Sequence, residues 1–381
     1  MKILINAVSA KRGGIVTYTE NLINSLRTKG IDVVFAVPPE IHRRHMDLTL
    51  PTSASEYGPV NRLLWDQTIW RLIVKRQKPD ILFSSANFGL MNSPVPQILL
   101  IREGGLFSDY YLTNIAPSQG TINVMKRYFR RKHMLTSTKH SDHVLVPSEA
   151  TRAALLSWQP ELAPKCTVNR YGTLSNFYQS GEHRRQWKSD GTIRLLYVSV
   201  YYPHKNPGIL CEAMRKFNKD KNLCHATITM TIEETRSLGG ALDHALLSNA
   251  IQDGLVTMGR HPYLDLPNLY NAHDVFVFPS VSETFGHPMA EALSAGMPIV
   301  AADTEINREI CGDAALYFSP FSHTELCARL AELDEQPGLR ERLCDLARKR
   351  SRKLYNWDDH VNRFLDVIEK TVRGYHNGAN T

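Results

Sequence analysis

Short apolar runs alternate with amphipathic stretches along the first half of the chain. Apolar residues that recur every three or four positions predict helices, and short apolar runs bounded by turn residues predict strands. Residues 40–60 follow neither pattern and are expected to be irregular. Ser148 is a good N-cap for the helix after it. The expected helices are 17–28, 61–75 and 121–139, and the expected strands are 3–5, 33–37, 80–84, 97–101 and 143–146.

The second half of the chain repeats this rhythm. Its expected strands are 194–199, 226–230, 256–259, 275–278 and 298–302, and its expected helices are 208–217, 266–271, 322–334, 337–353 and 357–372. Strands that alternate with helices indicate parallel sheets with helices on both faces. The polar stretch 173–192 separates the two runs, so we predict two doubly wound α/β domains, 1–180 and 181–355. Ligands bind such sheets at the carboxyl ends of the strands, which predicts a site in a cleft between the domains.

Composition narrows the class of protein. Of the 381 residues, 43% are hydrophobic and 22% are charged, as in ordinary globular domains. No apolar run approaches the roughly 18 residues of a membrane-spanning helix, and the apolar start at 1–7 is too short for a signal peptide. The six cysteines form no Cys-x-x-Cys pair, and no His pair or supported Asp-x-Asp motif suggests a metal. We therefore expect a cytoplasmic protein without metal or cofactor.

The net charge of +7 is distributed unevenly. A basic cluster with two aromatic residues inside it consists of Lys126, Arg127, Tyr128, Phe129, Arg130, Arg131, Lys132 and His133. At helical spacing this cluster fits two interpretations, contact with anionic lipid headgroups or an ordinary solvated helix face. No nucleic-acid recognition motif accompanies it, so nucleic acid is not an expected partner.

Two glutamates carry the clearest chemical signal. Glu283 and Glu291 follow the apolar run 275–278 and are separated by Phe285-Gly286 and a proline. This pattern predicts a buried strand, a loop and a short helix, and backbone N–H groups at a helix N-terminus bind anions readily. Such a site suits a ligand with a phosphate and several hydroxyls, such as a sugar nucleotide.

The stretches 269–280 and 296–303, together with 307–318, resemble the core of glycosyltransferase family 4. Gly13-Gly14 looks like the family's N-terminal glycine loop, and 197–206 looks like its first C-domain strand and loop. The resemblance implies the GT-B fold, two Rossmann-like domains facing a cleft, and a retaining reaction. It also implies that the C-terminal helix, 356–381, crosses back to the first domain.

The resemblance also implies roles for individual residues. Glu291 would hold the ribose hydroxyls and Glu283 would lie near the donor sugar. Lys205 would neutralise the diphosphate as the bond to the sugar breaks, which acts mainly on the transition state. The remaining donor-binding candidates are Gly13, Gly14, Thr284, Phe285 and Gly286.

Two departures from the family pattern stand out. The family often has Gly-Arg before the lysine, where this chain has Ser199-Val200, and Arg260 is either a replacement for that charge or a surface arginine. Many members carry a histidine in an N-domain loop near the reacting sugar. The corresponding loop here has none, and Arg102 or Glu103 is the candidate for its place, with Arg102 the predicted catalytic residue.

These observations predict a retaining hexosyltransferase that uses a UDP-sugar or a GDP-sugar. The expected acceptor is a glycan or a polyprenyl-linked glycan of lipopolysaccharide O-antigen or capsule synthesis, with 126–133 touching the inner membrane face. Three alternatives stay open at this point. They are a sugar-nucleotide 2-epimerase, a glycoside hydrolase using Glu283 and Glu291, and a non-catalytic nucleotide-sugar sensor.

Overall fold

A computed structural model of the chain describes residues 1–11, 13–114, 120–179, 186–219 and 223–378. The chain divides into two compact units. Unit 1 contains Met1–Phe107, Thr121–Arg170 and Asp358–Thr381, and unit 2 contains Ser108–Gly120 and Tyr171–Trp357. The domain boundary predicted at 180/181 lies outside the described residues.

The helices, numbered along the chain, surround two sheets. They are α1 (Gly14–Thr28), α2 (Pro39–Arg44), α3 (Pro59–Trp65), α4 (Arg71–Gln77), α5 (Asp109–Asn114), α6 (Thr121–Lys139), α7 (Glu149–Trp158), α8 (Ser175–Gln179), α9 (Gly208–Lys219), α10 (Ile232–Ser237), α11 (Ala241–Gln252), α12 (Leu266–Ala272), α13 (His287–Ser294), α14 (Glu305–Cys311), α15 (His323–Glu335), α16 (Pro337–Leu354) and α17 (Trp357–Gly378).

Unit 1 is built on a parallel sheet of seven described strands in the order β3-β2-β1-β4-β5-β6-β7. The strands are β1 (Ile3–Asn6), β2 (Val33–Val37), β3 (Thr49–Pro51), β4 (Ile81–Ser84), β5 (Gln97–Leu100), β6 (His143–Val146) and β7 (Cys166–Val168). Strands β1, β4 and β5 are buried along their whole length, as expected for a parallel sheet covered on both faces.

The expectation that residues 40–60 are irregular is wrong. This segment contains most of α2, all of β3 and the start of α3. Both helices are short and have proline near the first helical position, which suits a helix start but leaves little room for periodicity. β3 spans three residues at the sheet edge, too few to show an alternating pattern.

Register decides which helices cover which face of this sheet. Ser84 pairs with Leu99, so Leu82, two residues before Ser84, points to the same face as Leu99. Phe83 points to the opposite face, where its ring lies 4.7 Å from that of Phe364 in α17. The last helix is therefore part of the core of unit 1.

Unit 2 contains a parallel sheet of six described strands in the order β10-β9-β8-β11-β12-β13. The strands are β8 (Ile193–Tyr197), β9 (Cys224–Ile228), β10 (Val256–Met258), β11 (Val275–Phe278), β12 (Ile299–Ala302) and β13 (Ala315–Phe318). Strand order reverses between β8 and β11, which are direct neighbours. The loops that follow such a pair diverge at the carboxyl edge and leave a crevice between them.

Candidate functional site

The loops after β8 and β11 lie at the point where the strand order of unit 2 reverses. The backbone N–H of Val281 donates to the carbonyl of His204 over 2.9 Å, which joins the two loops. The Tyr197 hydroxyl donates to the carbonyl of Lys205 over 2.7 Å and anchors the first loop to its own strand. These contacts hold the lysine of one loop beside the carboxylate of the other.

Lys205 and Glu283 form an ion pair through Nζ and Oε1. Their side chains are only 12% and 11% exposed. Removing either partner of an ion pair that is largely shielded from water would leave the other charge without compensation, which is costly. Lys205 Nζ also lies 5.7 Å from the centre of the Phe278 ring. The structure thus brings together two of the three predicted catalytic residues.

The N-terminus of α13 follows directly after this pair. Gly286 is its N-cap and adopts a left-handed conformation with φ of 79°, and Pro288 occupies its first turn. The first turn carries no acidic residue. The N–H groups of this turn therefore form an electropositive end suited to an anion. Phe285 is buried, with its ring 5.2 Å from that of Tyr171, and Thr284 is half-buried.

Glu291 lies in the second turn of α13 and is only 5% exposed. The Tyr270 hydroxyl donates to its Oε2 over 2.8 Å. Burial raises the pKa of this carboxyl to about 7, and hydrogen bonds from Tyr270 and Tyr263 offset that rise only in part. Glu291 therefore holds its proton more tightly than an exposed glutamate, and hydrogen bonds donated to the carboxylate favour its ionised form.

Arg260 lies on the protein surface, whereas Lys205 and Glu283 are largely buried. It is exposed and forms an ion pair with Glu234 over 2.5 Å. Glu234 also closes the capping box of α10 through the backbone N–H of Thr231. The recorded contacts of Arg260 thus tie it to α10, and its predicted role in donor binding stays a prediction.

The unit 1 candidates occupy the loops after β1 and β5. Gly13 is exposed and caps α1 with φ of 67°, and Gly14 is the first residue of that helix. Arg102 lies 4.8 Å from the centre of the Tyr18 ring, and its backbone N–H donates to Asn87 Oδ1 over 2.7 Å. Glu103 Oε2 forms an ion pair with Arg130 Nη2 over 2.6 Å. Arg102 and Glu103 therefore have different interaction partners.

Sequence reasoning missed two features of the unit 2 site. Tyr111 of α5 packs on Val281, and its ring lies 5.9 Å from that of His204. Its segment, Ser108–Gly120, belongs to unit 2 although the chain on either side of it belongs to unit 1. Asn206 adopts φ of 49°, and its buried Nδ2 has no hydrogen-bond partner in the part of the chain that the structure describes. The left-handed backbone of an asparagine directly after Lys205 has no sequence signal beyond the residue type.

The described residues include no candidate membrane span and no candidate metal site. None of their helices is both long and apolar enough to cross a membrane. Among the same residues, no group of three or more His, Cys, Asp or Glu side chains is arranged to hold a metal ion.

Family models match both halves of the chain. The model for "Glycosyltransferase Family 4" matches residues 12–168, and the model for "Glycosyl transferases group 1" matches residues 179–350. The chain belongs to glycosyltransferase family 4. Both models describe glycosyltransferases, so the comparisons do not favour the 2-epimerase alternative.

Individual curated relatives resemble this chain only at low sequence identity. The chain is 27% identical to O-antigen chain mannosyltransferase B of Escherichia coli over 175 residues, which is 46% of this chain and 45% of that protein. The chain spans about half the length of the curated relatives it matches. Because each match covers only part of the relative, the relatives' activities support a proposal about this family 4 chain and no more.

Solved structures match this family 4 chain over nearly its whole length. Sucrose-phosphate synthase from Thermosynechococcus elongatus has a TM-score of 0.74 and 16% identity, covering 98% of this chain and 100% of that one. Anabaena HepE in complex with UDP and glucose has a TM-score of 0.73 and 15% identity, covering 97% and 100%. These likenesses confirm the predicted GT-B fold class.

Proposed function

We propose that this family 4 chain transfers a hexosyl residue from a nucleotide sugar to a hydroxyl of a glycan or lipid-linked glycan, with retention of anomeric configuration. The ion pair of Lys205 and Glu283 beside the N-terminus of α13 carries this proposal, because it sets a cation and a carboxylate where the strand order reverses. A relative named as an O-antigen mannosyltransferase and a structural neighbour solved with UDP and glucose support it.

The donor diphosphate competes with Glu283 for Lys205. A diphosphate carries more charge than one carboxylate and also accepts hydrogen bonds from the first turn of α13 and from Asn206 Nδ2. Lys205 then neutralises the charge that develops on the leaving diphosphate, and Glu283 is released to accept hydrogen bonds from the sugar hydroxyls. The ion pair between Lys205 and Glu283 thus keeps both groups in position for the reaction.

Glu291 accepts hydrogen bonds from the ribose hydroxyls through lone pairs that the hydrogen bonds from Tyr270 and Tyr263 do not use. The ionised carboxylate accepts hydrogen bonds from the two ribose hydroxyls more strongly than the protonated carboxyl does, so donor binding favours loss of the Glu291 proton. Because UDP and GDP share the ribose and the diphosphate, this arrangement suits either donor.

In the transfer step, the bond between the anomeric carbon and the diphosphate oxygen breaks while the acceptor oxygen bonds to the same face of that carbon. The acceptor's hydroxyl proton moves to the departing diphosphate oxygen. No metal or cofactor enters this scheme, and Lys205 with the helix N–H groups stabilises the leaving group.

We assign acceptor recognition to unit 1. Arg102 remains the proposed catalytic residue of that unit, and Gly13 and Gly14 the proposed donor-contacting turn. The proposed acceptor belongs to cell-surface polysaccharide synthesis, such as O-antigen or capsule, and the basic cluster at 126–133 would rest on the cytoplasmic membrane face that holds a lipid-linked glycan. The E. coli relative's name supports this pathway.

A thermal-shift panel of UDP, GDP and their sugars tests the donor first, and one nucleotide series is expected to raise the melting temperature. Transfer from the selected donor to a polyprenyl-linked glycan is then followed by NMR, which reports the anomeric configuration of the product. A product of inverted configuration would contradict retention. An epimerised donor in the absence of acceptor, or donor binding without transfer or slow hydrolysis, would overturn the proposal.

A further inference from the structure

Two helices of unit 1 leave apolar side chains facing solvent on one face of the sheet. Trp70, between α3 and α4, packs in one core cluster with Leu82, and Met134 of α6 packs in another with Leu99. Leu82 and Leu99 point to the same face of the sheet. Both helical segments therefore cover that face, and their outer sides are directed away from the same sheet.

A π-helical turn, Asp66–Trp70, joins α3 to α4 and shapes the outer side of the first segment. This turn adds one residue to the usual repeat, so Trp65 and Trp70 both point inward, with their rings stacked 5.9 Å apart. Asn61, Thr68, Lys75 and Arg76 are exposed in this segment, together with four large apolar residues. The four apolar residues are Val60, Leu64, Ile69 and Leu72, which are 71%, 59%, 50% and 64% exposed.

Helix α6 presents a similar outer side with more charge. Its exposed apolar residues are Ile122, Val124, Met125, Tyr128 and Phe129. Within the basic cluster, Arg130 forms an ion pair with Glu103, and the Arg131 guanidinium lies 4.0 Å from the centre of the Trp158 ring. Lys126 and Lys132 are exposed and extend the charge of the outer side into solvent.

The loop after β4 ties the two segments together. Gln67 donates to the carbonyl of Gly89 over 3.2 Å, which fixes the π-helical turn to this loop. The ring of Phe88, from the same loop, stacks 4.5 Å from the ring of His133 in α6. The two outer sides are thus held as parts of one surface, which we call the paired-helix face and define as the outward residues of 59–77 and 121–132.

We propose that the paired-helix face docks on an anionic lipid bilayer, with the α3–α4 segment inserting its apolar residues and α6 supplying the charge. The bilayer is favoured as occupant by charge complementarity. The α6 sequence contains no acidic residue, and Asp66, the acid of the 59–77 segment, is buried against Arg62. A second copy of the chain would bring two basic surfaces together, whereas a bilayer offers both anionic headgroups and an apolar interior.

This inference deepens the proposed function, since a lipid-linked acceptor lies at such a surface, but it can be tested without donor or acceptor. Wild-type protein is mixed with vesicles of phosphatidylcholine alone or with one-third phosphatidylglycerol, and the bound fraction is measured by sedimentation. We expect binding to the anionic vesicles. We also expect a loss of roughly fivefold or more for Leu64→Ser/Leu72→Ser and for Lys126→Gln/Lys132→Gln. The matched control Leu242→Ser/Leu264→Ser, which changes two exposed leucines of unit 2, should bind like wild type.

Leu64→Trp tests insertion directly, because brominated lipid should quench the fluorescence that the new tryptophan adds to that of wild type. In the control Leu242→Trp, brominated lipid should leave the added fluorescence unchanged. Unchanged binding of Leu64→Ser/Leu72→Ser would overturn insertion by α3–α4. Concentration-dependent dimers that this variant abolishes in the absence of vesicles would identify a second copy as the occupant and overturn the lipid. Donor hydrolysis measured in the same vesicle-free samples reports separately on the proposed transferase activity.

Discussion

The loops after β8 and β11 of unit 2, which we propose bind the donor and call the donor-side loops, use the same residue types as the paired-helix face of unit 1, but in the opposite way. Lys205 in unit 2 is largely removed from water and held by Glu283. Lys126 and Lys132 in unit 1 are exposed among apolar side chains. A buried cation needs one specific partner, because an unpaired charge away from water is costly. Exposed cations instead attract any anionic surface and are screened by salt.

The difference predicts how each region selects its ligand. The donor-side loops accept a ligand only if it replaces the interactions of Lys205, Glu283 and Glu291 with equivalent ones. The paired-helix face discriminates only by charge density and access to an apolar phase. Substitutions in the first region should therefore change chemistry and donor affinity, and substitutions in the second should change location.

The largest expected effect is that of Lys205→Ala. Removing the cation that we propose stabilises the leaving diphosphate should lower kcat by about 100- to 1,000-fold, with a smaller loss of donor affinity. Turnover and donor Kd, measured side by side, check this. The matched control is Lys29→Ala, which removes an exposed lysine at the end of α1 and should leave kcat unchanged. A loss confined to affinity would make Lys205 a ground-state binder.

The second effect is a pH dependence of donor binding. The ionised form of Glu291 accepts hydrogen bonds more strongly than the protonated form, and burial raises its pKa from 4.5 to about 7. Donor affinity should therefore fall by up to about tenfold for each pH unit below 7 and level off above it. For the same reason, the folded protein holds this proton more tightly than the unfolded chain, so the Glu291 contribution to stability declines as pH rises from 4.5 to 7.

Calorimetry between pH 5.5 and 8 measures this profile. Glu291→Gln removes the titrating group and should give weaker binding with a flat profile over the same range. A wild-type profile as flat as that of the variant would remove Glu291 from donor binding.

Asn206→Gly should have a smaller effect of about tenfold on nucleoside diphosphate affinity, the value of one hydrogen bond to a charged group, ~1.5 kcal/mol. Glycine accepts the φ of 49° without strain, so the substitution removes the Nδ2 donor and preserves the backbone. Diphosphate and monophosphate forms of the nucleotide are compared by calorimetry. Equal losses for both would place Asn206 away from the terminal phosphate.

The smallest effect separates stability from function at Gly286. Alanine at φ of 79° costs about 1 kcal/mol in folding free energy. Gly239 has the same φ, and a Cβ there would meet nothing within 4 Å, so Gly239→Ala is a matched control. At Gly286 the Cβ would lie 2.5 Å from Met289 Cε, the movable end of a flexible side chain. Both variants should melt alike, and only Gly286→Ala should weaken donor binding.

The local pattern of hydrophobic and polar residues was sufficient to predict the helices and strands that are long or wholly apolar. The predicted bounds of β11 and α6 coincide with those in the structure. Ser148 caps α7 as predicted, accepting a hydrogen bond from the Thr151 N–H. In these places the local signal and the tertiary environment favour the same conformation, so sequence periodicity is a reliable guide.

Prediction failed or stopped where an element depends on distant contacts. The 40–60 segment contains structure that is too short to show a period. The predicted helix at 61–75 contains a π-helical turn, and that turn, not the average period, decides which residues point outward. The membership of Ser108–Gly120 in unit 2 depends on packing such as that of Tyr111 on Val281, which adjacent residues do not encode.

The sequence by itself determined the α/β class, the GT-B family resemblance and the identity of Lys205, Glu283 and Glu291 as candidates. Those conclusions depend on residue type and spacing, which are local properties of the chain. Only the tertiary structure decided that Lys205 pairs with Glu283, that Glu291 is buried against Tyr270, and that α3–α4 and α6 cover the same sheet face. Pairing, burial and shared faces are set by strand order and register, which bring together residues far apart in sequence.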